Sequence, residues 1–123
     1  MPKIKTSQLR DGPLDYAVAL TEGAEGIEMR TFCLVEYPSI RWSEGYRTEL
    51  AEYQPSKDWR LAGTFIDSEG ISIECLSHDE WKGTVFTEHL GYSCHGDSAL
   101  EAAMRALVLS KLGEEVEIPS ELL

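Results

Sequence analysis

The chain is poor in the features that announce a chemistry. It has three cysteines, Cys33, Cys75 and Cys94, an odd number with no CxxC spacing. That excludes a paired disulfide framework and offers no zinc knuckle; reduced thiols are expected, two or three of them buried. The three histidines, His78, His89 and His95, show neither an HxxxH nor an HExxH spacing, so no metal site and no cofactor are expected. There is no glycine-rich phosphate loop, no GxSxG and no Walker pattern. No apolar run approaches the roughly 20 residues of a membrane span, and the basic start MPKIKTSQLR has no apolar stretch behind it. A cytoplasmic protein without a membrane partner is therefore expected. Positive charge is also scarce: 11 basic residues against 22 acidic ones leave a net charge of −11. Such a field repels phosphate backbones and argues against direct nucleic-acid binding. It fits plain solubility, and it also fits a surface that occupies the basic groove of a nucleic-acid enzyme by mimicking DNA.

What is present suits one domain over residues 1–123, with residues 113–123 as an acidic, solvated tail. Lys3 to Thr6 reads as a short strand or an extended arm. Ser7 or Asp11 can cap a first helix that carries Pro13 in its first turn, presents Leu14, Ala17, Val18 and Thr21 on one face and stops at Gly23. Ile27 to Tyr37 alternates as a half-buried or edge strand closed by Pro38. Ser39 to Asp58 is irregular. Thr64 to Asp67 predicts a one-turn helix, Ile71–Leu76 and Trp81–Thr87 a hairpin, and Tyr92–His95 a last strand. Ser98-Ala-Leu-Glu101 is a capping box for a long helix. Leu100, Ala103, Met104, Leu107, Val108 and Leu112 form its apolar stripe, and Gly113 ends it. Strands set apart from helices give an α+β fold: an antiparallel sheet of three to four strands packed with an N-terminal helix and a long C-terminal helix. Any self-association is expected as a homodimer, through the Leu100–Leu112 helix or a sheet edge.

Three stretches are similar to the NinX-like proteins of lambdoid phages, a family of unknown function. Leu14-Asp15-Tyr16-Ala17-Val18-Ala19 resembles the family's LDWAVA helix, and Pro55-Ser56-Lys57-Asp58-Trp59 its PSTDW loop. Ala102-Ala103-Met104-Arg105, Ser110-Lys111-Leu112-Gly113 and Glu115-Val116-Glu117 with Pro119 resemble its AAMR, SKLG and EVE-P ending. Between Ile27 and Tyr53 the chain departs from that pattern. The resemblance implies a phage accessory protein at work in the cytoplasm of an infected bacterium, and it supplies no catalytic residues.

Two loops and one helix residue are the candidate ligand-binding set. Ser56 can donate, Asp58 can accept and Trp59 can stack on a ring, or Ser56 or Asp58 can cap a turn while Trp59 fills the core. Arg41, Trp42, Tyr46 and Arg47 combine guanidinium forks with flat rings, which suits a nucleotide. Arg105 stands among small apolar neighbours and either pairs with Asp15 or Asp58 or points at a ligand. Cys94, His95 and Asp97 cannot form a nucleophile site in one strand, because alternate side chains face opposite ways. The expectation is a non-enzymatic protein that sequesters a small nucleotide-like ligand to counter host defence. The alternative is an acidic interaction protein or DNA mimic that masks a basic surface of a host enzyme.

Overall fold

The structure is a computed structural model that describes residues 1–123. Its elements run β1 (Lys3–Lys5), α1 (Asp11–Thr21), β2 (Ala24–Phe32), β3 (Val35–Trp42), β4 (Arg47–Glu49), α2 (Trp59–Glu69), β5 (Ile71–Ser77), β6 (Glu80–Phe86), β7 (Gly91–Gly96), α3 (Ala99–Leu112) and β8 (Glu115–Glu117). Short 3-10 turns stand at Thr6–Gln8, Leu50–Glu52 and Ser120–Leu122. The α+β class holds, and every strand pairing is antiparallel. The strands are divided among three small sheets, β1-β8, β2-β3-β4 and β5-β6-β7.

α3 is the axis of the core. Ser98 accepts a hydrogen bond from the Glu101 N–H at 3.2 Å, and the Glu101 carboxylate accepts from the Asp97 N–H at 3.0 Å. That is the expected capping box with its return bond one residue earlier. Leu100 and Ala102 to Val108 are all buried, since α3 is covered by α1 and α2 as well as by the β5-β6-β7 sheet. The sheet comes closest at two glycines. A Cβ on Gly83 would stand 2.5 Å from the Ala102 carbonyl oxygen, and one on Gly96 2.6 Å from the Ala102 nitrogen. The apolar stripe of α3 is thus buried within the chain from Leu100 to Val108, with Leu112 left exposed at its end.

Four local expectations need correction. The Ile27–Tyr37 strand is two strands, β2 and β3, folded back at Cys33-Leu34, with Phe32 opposite Val35. Cys33 and Leu34 both have positive φ, 52° and 67°, the twist of a two-residue hairpin turn without the Asn-Gly pair that normally marks one. Pro38 lies inside β3 opposite Met29; β4 joins β3 only at Ser39–Arg41, so Pro38 sits where β3 has a single neighbour. The irregular Ser39–Asp58 stretch contains the end of β3, all of β4 and a 3-10 turn. The one-turn helix at Thr64 is an 11-residue helix, because Asp58 caps it by accepting from the Arg60 N–H at 2.9 Å.

The acidic tail belongs to the fold. Ile4 of β1 pairs with Val116 of β8, and Val116 and Ile118 are buried while Glu115 and Glu117 face outward. α1 starts without a side-chain cap from Ser7 or Asp11; Asp11 pairs instead with Lys57. Of the cysteines one is buried, Cys94, where two or three were expected. Cys33 occupies the hairpin turn, and Cys75 is exposed on the edge strand β5.

Candidate functional site

The aromatic–arginine stretch at the β3–β4 turn is folded inward. Trp42 is 9% exposed; its indole N–H donates to Thr48 Oγ1 at 3.1 Å. Its ring stacks on Tyr46 at 6.2 Å and meets the edge of Tyr53 at 5.6 Å. Arg41, the preceding residue on β3, projects to the other face and is exposed. Arg47 is ion-paired with Glu28 of β2. Tyr46 keeps an exposed flank. In this stretch the ring best suited to stack on a base is taken up by the protein itself.

Arg105 is likewise committed. Its Nε donates to the Leu9 carbonyl at 2.7 Å and Nη1 to the His95 carbonyl at 2.8 Å, while Nη2 lies 3.2 Å from Glu101 one helical turn back. The buried guanidinium ties α3 to β7 and to the segment before α1. Its carboxylate partner is Glu101, where Asp15 or Asp58 was expected.

The Pro55–Trp59 loop is arranged in the opposite sense. The Lys57 and Asp58 N–H groups both donate to the Gln54 carbonyl, at 2.9 and 2.8 Å, closing a tight turn before the Asp58 cap. Trp59, the first residue of α2, is 60% exposed and does not fill the core. Ser56 is 6% exposed, and its hydroxyl has no hydrogen-bond partner. Its backbone N–H donates to Asp15 Oδ1 of α1 at 2.9 Å. Lys57 Nζ lies 3.1 Å from Asp11.

Two shallow concavities flank this loop, and Lys57 borders both. The first, about 270 Å³, is lined by Asp11, Asp15, Tyr37, Pro38, Glu49, Leu50, Gln54 and Lys57, among others. The second, about 250 Å³, is lined by Ser56, Lys57, Trp59, Ser98, Ala99 and Leu100. Neither includes Arg41, Trp42, Tyr46, Arg47 or Arg105. Of the sequence-derived candidates, the structure thus groups Ser56 and Trp59 on one hollow, with Asp58 beside them as the α2 cap.

Asp15 is the residue that sequence reasoning missed as a site residue. It is 2% exposed. Burial pushes its carboxyl pKa up to about 6, against the lowering effect of the Ser56 hydrogen bond and the nearby Lys57. The available signal was a carboxylate set directly against the apolar face of α1, between Leu14 and Ala17. Burial also raises the Cys94 thiol pKa, which lowers its thiolate fraction. No three His, Cys, Asp or Glu side chains converge as metal ligands.

The stretches that carry the family resemblance meet in space here. Asp15 of the first bonds Ser56 of the second, and the start of α3, just before the third, closes the hollow beside Trp59. The family described as Bacteriophage P22, NinX, matches residues 5–111. The chain belongs to this NinX family. The match runs from the end of β1 into the last turn of α3 and so takes in both concavities beside Lys57, with β8 beyond it. No curated protein matches the chain.

Proposed function

We propose that this phage NinX-family protein acts by binding rather than by catalysis, and that it holds a small nucleotide-like ligand in the hollow beside Trp59, withdrawing a host defence signal in the infected cell's cytoplasm. The observation that carries this reading is the pairing of an exposed tryptophan with the buried, unpartnered hydroxyl of Ser56. A buried hydroxyl without a partner costs about 1–3 kcal/mol, and a ligand acceptor reaching it recovers that. Trp59 offers a face for a base. Lys57 and the amino end of α3, whose backbone dipole favours negative charge, offer a place for a phosphate. Asp58 is occupied as the α2 cap and holds the loop in shape.

The test is to purify the protein from bacteria with an active nucleotide-signalling defence, denature it and identify released small molecules by mass spectrometry. A stoichiometric nucleotide is expected from the native chain and none from Trp59→Ala. An empty native protein, or equal loading of the variant, overturns the reading.

One observation favours the second reading, an acidic protein that masks a partner. The β2–β3 hairpin ends in an exposed apolar tip of Phe32, Leu34 and Val35, on a chain of net charge −11. If that reading holds, affinity capture from infected cells recovers a basic host protein with the native chain and loses it with Leu34→Ser, while Trp59→Ala leaves capture unchanged.

A further inference from the structure

The first concavity carries a different chemistry from the second. Its floor is Asp15, a carboxylate that is 2% exposed, accepts the Ser56 N–H on Oδ1 and has the Ser56 hydroxyl close by. The side chain lines the hollow. Asp11 and Glu49 add two exposed carboxylates at the rim. Pro38, Leu50 and the ring of Tyr37 provide an apolar wall between floor and rim. The cation nearest to this set is Lys57, whose ammonium lies 3.1 Å from Asp11 and is largely exposed.

A buried carboxylate met at close range only by the neutral groups of one serine is short of compensation, and a cation placed against it relieves that deficit. The raised carboxyl pKa is the electrostatic expression of the same shortage. An anion is repelled by three carboxylates. A hydrated metal ion would find no second buried carboxylate and an apolar wall in place of oxygens. An ammonium group on a short methylene chain matches the charge at the floor and the hydrocarbon along the wall, and a second ammonium at the far end would meet the carboxylates at the rim.

We propose that the concavity floored by Asp15 and rimmed by Asp11 and Glu49 is a binding site for a short primary alkylamine, with Lys57 as its resident intramolecular competitor. The inference does not depend on the ligand assigned to the Trp59 hollow.

The test uses the full chain, labelled with ¹⁵N and titrated at neutral pH with butane-1,4-diamine, and with 1,4-butanediol as the uncharged isostere. The diamine is expected to give saturable shifts at the Asp15, Ser56 and Lys57 amides, and the diol none. Asp15→Asn keeps the size and the acceptor for the Ser56 N–H but should weaken the diamine by about tenfold or more. Lys57→Gln removes the competitor and should tighten it about two- to fivefold, a direction that loss of structure would not produce. Should Asp15→Asn fail to fold, Glu49→Gln on the rim must weaken binding in its place. Diamine and diol behaving alike, no saturation in the millimolar range, or unchanged affinity in Asp15→Asn and Lys57→Gln each overturn the proposal. Tighter binding of N-acetyl-lysine methylamide than of the diamine would keep the ammonium site and identify its source as a lysine side chain of a partner protein.

Discussion

Trp42 and Trp59 stand in similar company in the sequence, each with cationic and polar neighbours within a few residues, yet they end in opposite situations. Trp42 finds two tyrosine rings and a threonine hydroxyl within reach, so its ring is packed and its N–H is paired inside the chain. Trp59 opens α2, where it shares the helix stripe of Ala62 and Ile66 but stands at the first position, and its ring lies at the surface. An aromatic residue is absorbed by the fold where other rings and a hydrogen-bond acceptor converge on it. It is left at the surface where the element that carries it ends before the packing surface does.

The sharpest way to break this contrast is to truncate both rings. Trp42→Ala should lower stability by about 3–5 kcal/mol, because it opens a cavity between Tyr46 and Tyr53 and leaves the Thr48 hydroxyl unpaired. Trp59→Ala should stay within about 0.5 kcal/mol of the native chain in the same urea titration, while losing bound ligand. If the two variants unfold at the same urea concentration, the division between a packed ring and a free one is wrong.

Arg105 extends the contrast to charged groups. Its replacement by Met removes the hydrogen bonds to Leu9 and His95 and leaves Glu101 without its nearest buried partner. A loss of about 3 kcal/mol is expected, with β7 and the residues before α1 loosening together in hydrogen exchange. Lys57, exposed and paired with an exposed Asp11, should contribute almost nothing to stability when changed to Gln.

The parts that could be read from the sequence were those governed by local rules. The capping box at Ser98, the stop at Gly113 and the hairpin of β5 and β6 rest on neighbours within a few residues, and each stands as expected. The turn at Cys33-Leu34 escaped because neither residue carries a turn signal; pairing along eight registered positions of β2 and β3 sustains two positive φ angles there. β8 escaped because Glu115 and Glu117 mask a single buried valine, and its partner β1 lies at the other end of the chain. In the candidate site, Ser56 and Trp59 were visible as residue types. Asp15 was not, since its role depends on a bond to a backbone N–H 41 residues away.

Asp15 offers a pH-dependent test of which groups the fold has compensated. The groups around it are the Ser56 N–H and hydroxyl, Lys57 and Asp11, with Tyr53, whose phenol burial keeps neutral. Its carboxyl pKa is about 6 in the folded chain against 3.8 when unperturbed. Between those values the folded state binds the proton more tightly, so this group's contribution favours folding at low pH and is lost as pH rises toward 6. The full difference is about 3 kcal/mol, at about 1.4 per pKa unit. Asp15→Asn, which cannot ionise, should therefore match the native chain near pH 4 and exceed it by up to that amount above pH 6, read from paired urea titrations. A gap that does not widen as pH rises would mean that the carboxylate is better compensated than its surroundings indicate.

The smallest expected effect falls on the arginines of the β3–β4 turn, and it sharpens the comparison most cheaply. Arg47 is about one-third exposed in its pair with Glu28, which is also partly exposed, and Arg41 faces solvent on the far side of β3. An ion pair of this kind contributes about 0–1 kcal/mol and is screened by salt. Arg47→Ala should therefore shift the urea midpoint slightly at low salt and not at all at high salt, and Arg41→Ala should do less. Neither should alter ligand retention, because neither residue borders the hollows beside Lys57. Loss of ligand in Arg47→Ala with stability intact would reassign the binding face to the β3–β4 turn, and would mean that the Glu28 pair holds the guanidinium ready for an anion instead of spending it on the sheet.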